Sequence, residues 1–590
     1  MDASRSRPDG PSSSEEISAR LFCCRFMRRW VPLAYREELY HILRMTGPLL
    51  ASRILNYLHP FVVTIFCGRL GNSALAGYAM ACAFINVTSA SICLGLCFAC
   101  DTLVSQTFGG GKLLRVGVIL QKSILILMVF CLASWGVLVN TEAFLLLLGQ
   151  DAEVARIAQV YSMAYLPAIP ALALHQLQMS YLQNQGMIMP LVYAAFLANI
   201  ANLLTNFFLF WLDFGVPGSA AANSLSIIYN CGFLFLYIRC RNLHAKSWGG
   251  WTTECLQDWS SYMKLAIPSA MMCCFEWWIY EIGGFLAGMI SEEDLGAQHV
   301  VIMLAYVNYM IPLGVQVVAC VRVGNALGAG DTDGAIFTSK VVLTFTAVLA
   351  VLQAIVLGAP KRVIAYIFTS DENIAELVSE LMSVYIVLQL CNGIFCVSMG
   401  ILLGTGQQKI AAIANPIGYY CIGLPIIIAL MFVTDLQVMG FWIGLLISTF
   451  LLAVFYIIMI FKMNWKRLTK EAIARAGNTV AVPLMSPASE SDPSRSTASS
   501  NETSVNGHGG LACQAQEGTV QPTALLSNSQ LIIRRGLVLL AAVLTLFVGT
   551  VLHLLLPLPE PFGGRRMNET MDFGNWSTAT PLAQSTLPTL

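Results

Sequence analysis

The chain has 590 residues, 56% of them hydrophobic and 11% charged, with 33 Lys plus Arg against 33 Asp plus Glu. A soluble domain carries about 25% charged residues, so this composition excludes one and describes a protein that crosses the lipid bilayer many times. Zero net charge gives no electrostatic pull toward nucleic acid, and the 18 cysteines mostly sit inside apolar runs, where a thiol acts as a small hydrophobe and no metal spacing appears.

Residues 1–39 form a polar and then basic arm (Arg20, Arg25, Arg28, Arg29, Arg36) with no cleavable signal, so the first apolar run is expected to be its own anchor. A helix needs about 20 apolar residues to cross. Twelve such stretches lie near 40–68, 74–99, 116–140, 157–180, 189–212, 217–239, 262–290, 296–320, 338–359, 376–399, 410–433 and 438–461, and a thirteenth near 536–558. The domain reading is a cytoplasmic arm (1–39), an N-lobe of spans 1–6 (40–240), an interlobe loop (241–261) and a C-lobe of spans 7–12 (262–461). A cytoplasmic linker (462–535), span 13 (536–558) and an extracellular tail (559–590) complete it. Within the linker, 476–528 is rich in Ser, Pro, Asn, Gly and Thr and is expected to be disordered.

Lys and Arg choose the orientation. The N-terminal arm, the 6–7 loop (Arg239, Arg241, Lys246) and the segment after span 12 (Lys462, Lys466, Arg467, Lys470) are basic, whereas the 3–4, 5–6, 7–8 and 11–12 loops are acidic. Lys361 and Arg362 in the 9–10 loop are a local exception. The N-terminus is therefore expected in the cytoplasm, and thirteen crossings put the C-terminus outside. There the sequons at Asn568 and Asn575 are available for glycosylation.

The chain repeats itself. "RMTGPLLAS" (44–52) stands opposite "KLAIPSAMM" (264–272), pairing Pro48 with Pro268 at an offset of 220. "CDTLVSQTFGGGK" (100–112) matches "CVRVGNALGAGD" (320–331), and "LQNQG" (182–186) matches "LGTGQ" (403–407), at 219 to 221. Spans 1–6 and 7–12 then read as two parallel copies of one six-helix unit facing each other, the general plan of many secondary transporters.

These motifs, with "GTGQQKIAAIANPIGYYCIGLP", resemble the multidrug and toxin extrusion (MATE) transporters. "WGGWTTECLQDWSSYMKLAIPS", the following "EWWIYE" and the thirteenth span resemble the vertebrate branch. The resemblance covers about 35–465. It implies an all-α fold of two six-helix lobes forming a V, and efflux of small organic cations and drugs in exchange for protons. It also implies a multi-pass place in the plasma membrane, on the apical side. The protein is taken as a monomer without a cofactor.

"FEWWIYEIGGF" (275–285) places Glu276 and Glu281 in the middle of span 7. A carboxylate at bilayer depth costs several kcal/mol and is functional by default; in the family, acids of this lobe are the functional ones. Two further acids of vertebrate members, counted from "LGAQ" and "GTGQQK", correspond here to Met303 and Asn392, neither of which titrates. On one straight helix Glu276 and Glu281 lie about 140° and about 7.5 Å apart. Either they line different parts of a broad cavity, or the helix loosens at Gly283–Gly284. The favoured reading puts one at the cation site and one in a neighbouring proton pocket.

Trp277, Trp278, Tyr280 and, on span 8, Tyr309 offer π faces to a desolvated cation, each up to about 2 kcal/mol, or are ordinary packing aromatics. Asn308, Gln389 and Asn392 are cavity-lining candidates in the same lobe, while Asn199, Asn202 and Asn206 on span 5 read as ties between helices. Asp101 and Arg322 occupy near-equivalent ends of spans 2 and 8 and read as gating or loop-anchoring charges. His175 is an interhelical contact or a proton relay, and Arg53, inside span 1, is the one cation placed to neutralise the glutamates.

Rival classes lack their parts. "GGGKLL" (109–114) has Leu113 where an ATP-binding loop needs Ser or Thr, and no HExxH or GxSxG set supports an enzyme. The major facilitator plan shares the six-plus-six topology but not these motifs. An uncoupled facilitator, or a flippase of lipid-linked substrates, would share the fold.

Overall fold

The computed structural model describes residues 32–70, 72–367, 372–434, 436–477 and 527–555. Within them the chain is helical and contains no strand. The N-terminal half comprises α1 (Leu33–Leu70), α2 (Asn72–Ile85), α3 (Ser91–Gly109), α4 (Leu113–Leu138), a short α5 (Thr141–Leu147), α6 (Ala152–Tyr165), α7 (Ala168–Asn184), α8 (Met189–Trp211) and α9 (Gly215–Cys240). The second half comprises α10 (Trp259–Gly288), α11 (Glu292–Gly328), α12 (Thr332–Gly358), α13 (Glu372–Thr405), α14 (Gln408–Asn415), α15 (Leu424–Phe432) and α16 (Gln437–Lys462). Two further helices follow, α17 (Trp465–Arg475) and α18 (Asn528–Leu555). Over-wide π turns join α2 to α3 (Asn86–Ala90) and α14 to α15 (Pro416–Gly423).

Ten of these helices or joined helices are long and apolar enough to cross a membrane, and the pair α6–α7, bent by 56°, makes an eleventh. The bend falls at "LP" (166–167): the proline lacks the amide proton that would continue the ladder. The other two expected spans, α1 and α10, are 38 and 30 residues long, which is enough to cross. They open the two halves and carry Arg53 and the two glutamates. A helix that faces protein and a polar cleft on one side has no need to be oily all round.

The repeat survives in the backbone. Pro48 and Pro268 both lie inside the opening helices of their halves. Gly111 (φ 75°) and Gly330 (φ 84°) end α3 and α11 in the left-handed region, and Gly186 (φ 75°) and Gly406 (φ 77°) end α7 and α13 in the same way. Only glycine takes that conformation without strain, which is why these motifs were the readable part of the repeat. The last pair sets the true register there at 220 rather than 221.

The lobes meet at one end. α3 packs on α10 and α11, whereas α2, the other half of the same span, packs on α1 and α6 of its own lobe. The seam is an apolar core continuous with both halves, joining Ala99 and Val104 to Val315, Ala319 and Val323. Polar ties cross it: Thr102 Oγ1 donates to the Leu403 carbonyl at 2.8 Å, Gln106 Nε2 to that of Gly404 at 2.8 Å, and Gln408 Nε2 to Thr102 Oγ1 at 2.6 Å. Glycines let the backbones touch. A Cβ on Gly328 would lie 1.9 Å from the Gln106 carbonyl oxygen, and one on Gly109 would lie 2.0 Å from that of Asn325.

The segment 462–535 is not linker throughout, because α17 is an ordered helix. Asn464 caps it, accepting from Arg467 N at 3.1 Å, and it buries Trp465, Leu468 and Ala472. Its last residue straps the closed end: Arg475 Nη1 reaches Gln106 Oε1 of one lobe at 3.4 Å and the Thr405 carbonyl of the other at 3.3 Å. Burial lowers the Arg475 pKa, and Glu471, 3.0 Å away, offsets this only in part. α18 docks on α4 through a glycine contact, Gly136 against Gly549, and Asn140 Nδ2 donates to the Gly549 carbonyl at 2.9 Å. At its other end Arg535 donates to the Leu256 carbonyl at 2.9 Å and stacks 4.3 Å over Trp259.

Candidate functional site

α10 starts at Asp258, whose side chain accepts from Ser261 N at 3.3 Å, and runs without a break through Gly283 and Gly284. The loosening considered from the sequence does not occur in this conformation. Gly283 instead allows α16 to approach, since a Cβ there would lie 2.2 Å from the Phe441 ring, while Gly284 faces open space.

The two carboxylates point to different places, as their helical spacing requires. Glu276 is 9% exposed and turned into the C-lobe, where Tyr309 of α11 donates to its Oε1 at 2.8 Å. Tyr280, Tyr419, Tyr456, Cys273 and Cys396 are its other electrostatic neighbours, so its surroundings are phenols and thiols rather than a guanidinium. Glu281 is half-buried and makes no hydrogen bond or ion pair among the described residues. It lies within electrostatic range of Cys82 on α2 of the N-lobe and Tyr306 on α11 of the C-lobe, which puts it between the two lobes.

Arg53 does not neutralise either glutamate; the acid within its range is Asp101. Asp101 itself is an anchor inside the N-lobe, its Oδ1 accepting from Ser180 (2.6 Å), Asn184 (2.7 Å) and Gln183 (3.0 Å), all of α7. Arg322, by contrast, joins the lobes. Its Nε donates to Glu38 Oε1 at 2.6 Å and its Nη2 to Glu38 Oε2, while Thr338 donates to the same carboxylate at 2.8 Å. The pair pins the start of α1 to α11 and α12 at the closed end.

Of the aromatic candidates, Trp278 reaches across to the N-lobe, its Nε1 3.4 Å from Ser91 Oγ. Tyr280 packs against the C-lobe core, and Trp277 is half-buried. Asn308 and Gln389 are ties between helices. Asn308 donates to Tyr385 OH at 3.0 Å and accepts from Gln353 at 2.8 Å, and Gln389 donates to the Ala350 carbonyl at 2.9 Å. Asn392 is 8% exposed and makes no side-chain hydrogen bond. The Met303 sulfur lies 3.6 Å from the hydroxyl of Tyr57 on α1, so this position faces the other lobe. On α8, Asn199 ties to the Leu55 carbonyl at 2.8 Å, as expected. Asn568 and Asn575 lie outside the described residues. No cluster of metal ligands occurs among the described residues.

Sequence reasoning missed Glu38, which sits in the stretch read as arm, and Tyr306 and Tyr57, which differ in no sequence feature from other aromatics of their helices.

The family model MatE matches the chain twice, over residues 48–208 and 268–429, again 220 residues apart. The chain belongs to the multidrug and toxin extrusion family. The chain is 44% identical over 546 residues to multidrug and toxin extrusion protein 1 of Danio rerio (90% of this chain, 92% of the relative). It is 42% identical to that of Homo sapiens (88% and 94%) and 48% identical to protein 2 of Mus musculus over a shorter stretch (75% and 77%). Among solved structures, the eukaryotic MATE transporter AtDTX14 superposes with a TM-score of 0.72 at 26% identity, covering 75% of this chain and 99% of that one. A Vibrio cholerae MATE transporter, VcmN, gives 0.66 at 16% identity (74% and 100%), a likeness of fold. As a MATE-family member the chain is a multi-pass membrane transporter and not an enzyme.

Proposed function

We propose that this MATE-family chain exports organic cations and drugs in exchange for protons by alternating access, with the two carboxylates of α10 as the exchanging groups. One observation carries the reading: Glu276 and Glu281 lie well inside α10, a helix long enough to cross the membrane, and neither has a cationic partner among the described residues. A carboxylate so placed is stabilised by a proton or by a visiting cation, and each excludes the other. Glu281, between the lobes beside Trp278 and Tyr306, takes the cation; Glu276, sealed with Tyr309, holds the proton. The names of the relatives, multidrug and toxin extrusion proteins, support efflux of foreign compounds.

In this reading the closed end faces the cytoplasm, because the basic segments gather there, and the cleft opens outward at the plasma membrane. α18 is the thirteenth crossing and carries the tail, with Asn568 and Asn575, outside. Protons entering from outside displace the cation. The Arg322–Glu38 pair and the glycine seam must then part before the cleft reopens inward.

The test is Glu276→Gln in cells or vesicles given a pH jump, with uptake of a labelled organic cation normalised to surface protein. Exchange is expected to vanish; normal pH-driven efflux refutes the role. A second reading, an uncoupled facilitator, rests on Met303 and Asn392, which supply no proton site. Transport indifferent to the imposed pH gradient would select it.

A further inference from the structure

We infer that the interior of the N-lobe is a second binding chamber, which takes a small anion, or the carboxylate of a larger solute, on Arg53 between His59 and His175. This site is separate from the α10 carboxylates and does not depend on their role.

Three helices line it. Arg53, Asn56 and His59 come from successive turns of α1, and His175 and Gln178 come from one face of α7. Asn230 of α9 closes it, its Nδ2 2.9 Å from His59 Nε2, and Gln178 Nε2 lies 3.7 Å from the neighbouring Cys231 sulfur. His175 lies within electrostatic range of both Arg53 and His59, so these side chains form one cluster inside the lobe.

Much of their hydrogen-bonding capacity is not used by the protein. Asn56 Oδ1, His59 Nδ1, both ring nitrogens of His175, Gln178 Oε1 and Asn230 Oδ1 are buried and have no protein partner. His59, His175 and Asn230 are at most 7% exposed. Each such group costs about 1–3 kcal/mol if it stays unpaired, so six in one cluster describe a site built to hold polar guests.

Charge decides the class of guest. Arg53 is enclosed by protein yet keeps accessible surface, and its guanidinium makes no hydrogen bond or ion pair among the described residues. Asp101 senses it only at a distance, and the Asp101 Oδ1 is taken by three donors of α7. Water can satisfy the amides and imidazoles but cannot cancel a fixed positive charge at bilayer depth. The five donors of a guanidinium, flanked by imidazole N–H groups, fit an anion. Asn and Gln amides turn to offer N–H or oxygen as the guest requires.

The experiment is chloride NMR line broadening on the full chain in nanodiscs of uncharged lipid. Wild type is expected to give saturable broadening above empty nanodiscs, and Arg53→Gln to reduce it about tenfold or more, as loss of a charge partner does. Arg53→Lys, which keeps the charge without the fork, should retain weakened binding and guards against a folding defect. Glu281→Gln should leave broadening unchanged, which separates this site from the proposed cation site. Acetate should displace chloride; chloride that binds but resists acetate restricts the guest to inorganic anions. Wild-type broadening no greater than that of empty nanodiscs, or broadening unaltered in Arg53→Gln, overturns the proposal and leaves a chamber holding water alone.

Discussion

Placing a single methyl group at the closed end should force the lobes apart. In Gly328→Ala the new Cβ would lie 1.9 Å from the Gln106 carbonyl oxygen and 2.7 Å from its carbon, both backbone atoms on the opposite lobe. Ordinary contact needs about 3.5 Å, so α3 and α11 must part by more than about 1 Å, and no side-chain rotation can relieve it. Overpacking of this kind costs about 1–3 kcal/mol. Charged only against the closed state, that is about a 5- to 150-fold shift in the ratio of the two conformations. Thr102, fully buried in the seam, reports it. In a background lacking reactive thiols, Thr102→Cys should be labelled from the closed end several-fold faster when combined with Gly328→Ala. Gly284→Ala, whose Cβ would meet nothing within 4 Å, serves as the control and should leave the rate unchanged. Equal labelling with Gly328→Ala and with Gly284→Ala would refute the seam as the element that holds this state.

Three further outcomes are expected. Arg475→Ala removes the strap from Gln106 and Thr405, worth about 0.5–1.5 kcal/mol, and should raise labelling in the same assay by less than Gly328→Ala does. Met303→Glu with Asn392→Glu should move the pH dependence of transport, because Met303 faces Tyr57 across the lobes and Asn392 has unused capacity inside one; an unchanged profile excludes both positions from coupling. Deleting residues 536–590 removes a helix that packs on the outside of α4, so uptake normalised to surface protein should persist, and a dead truncation at the surface would refute that.

What the sequence made legible was what local rules govern. Apolar runs marked the helices, and glycines held at positive φ marked the repeat, since no other residue fills those positions cheaply. Glu276 and Glu281 were legible because charge in an apolar run has few explanations. Their opposite directions followed from helical geometry, but Tyr309 as the partner of Glu276 did not: the contact joins residues 33 apart on a neighbouring helix. The Glu38–Arg322 pair spans 284 positions and begins in a stretch that composition assigns to solvent. Asn308 and Gln389 show the converse limit, since an amide that ties helices and one that lines a cavity have the same sequence signature. α17 was hidden for a similar reason: its polar, strongly basic sequence resembles linker until the seam supplies a surface for Trp465 and Leu468.

The two over-wide turns both contact the acid-bearing helix. Tyr420, within the turn Pro416–Gly423, packs edge-on against Phe275 at 5.3 Å. Asn415, just before it, donates to the Met272 carbonyl at 3.0 Å. One turn further along α10, Ser91, immediately after the turn Asn86–Ala90, meets Trp278. In a turn with a surplus residue, a slide of one position would rotate the residue it passes by roughly a hundred degrees while the rest of the ladder stays intact. α10 is thus held at Met272, Phe275 and Trp278, next to its carboxylates, by turns rather than by straight helix, so a slip in either turn would change what these residues pack against.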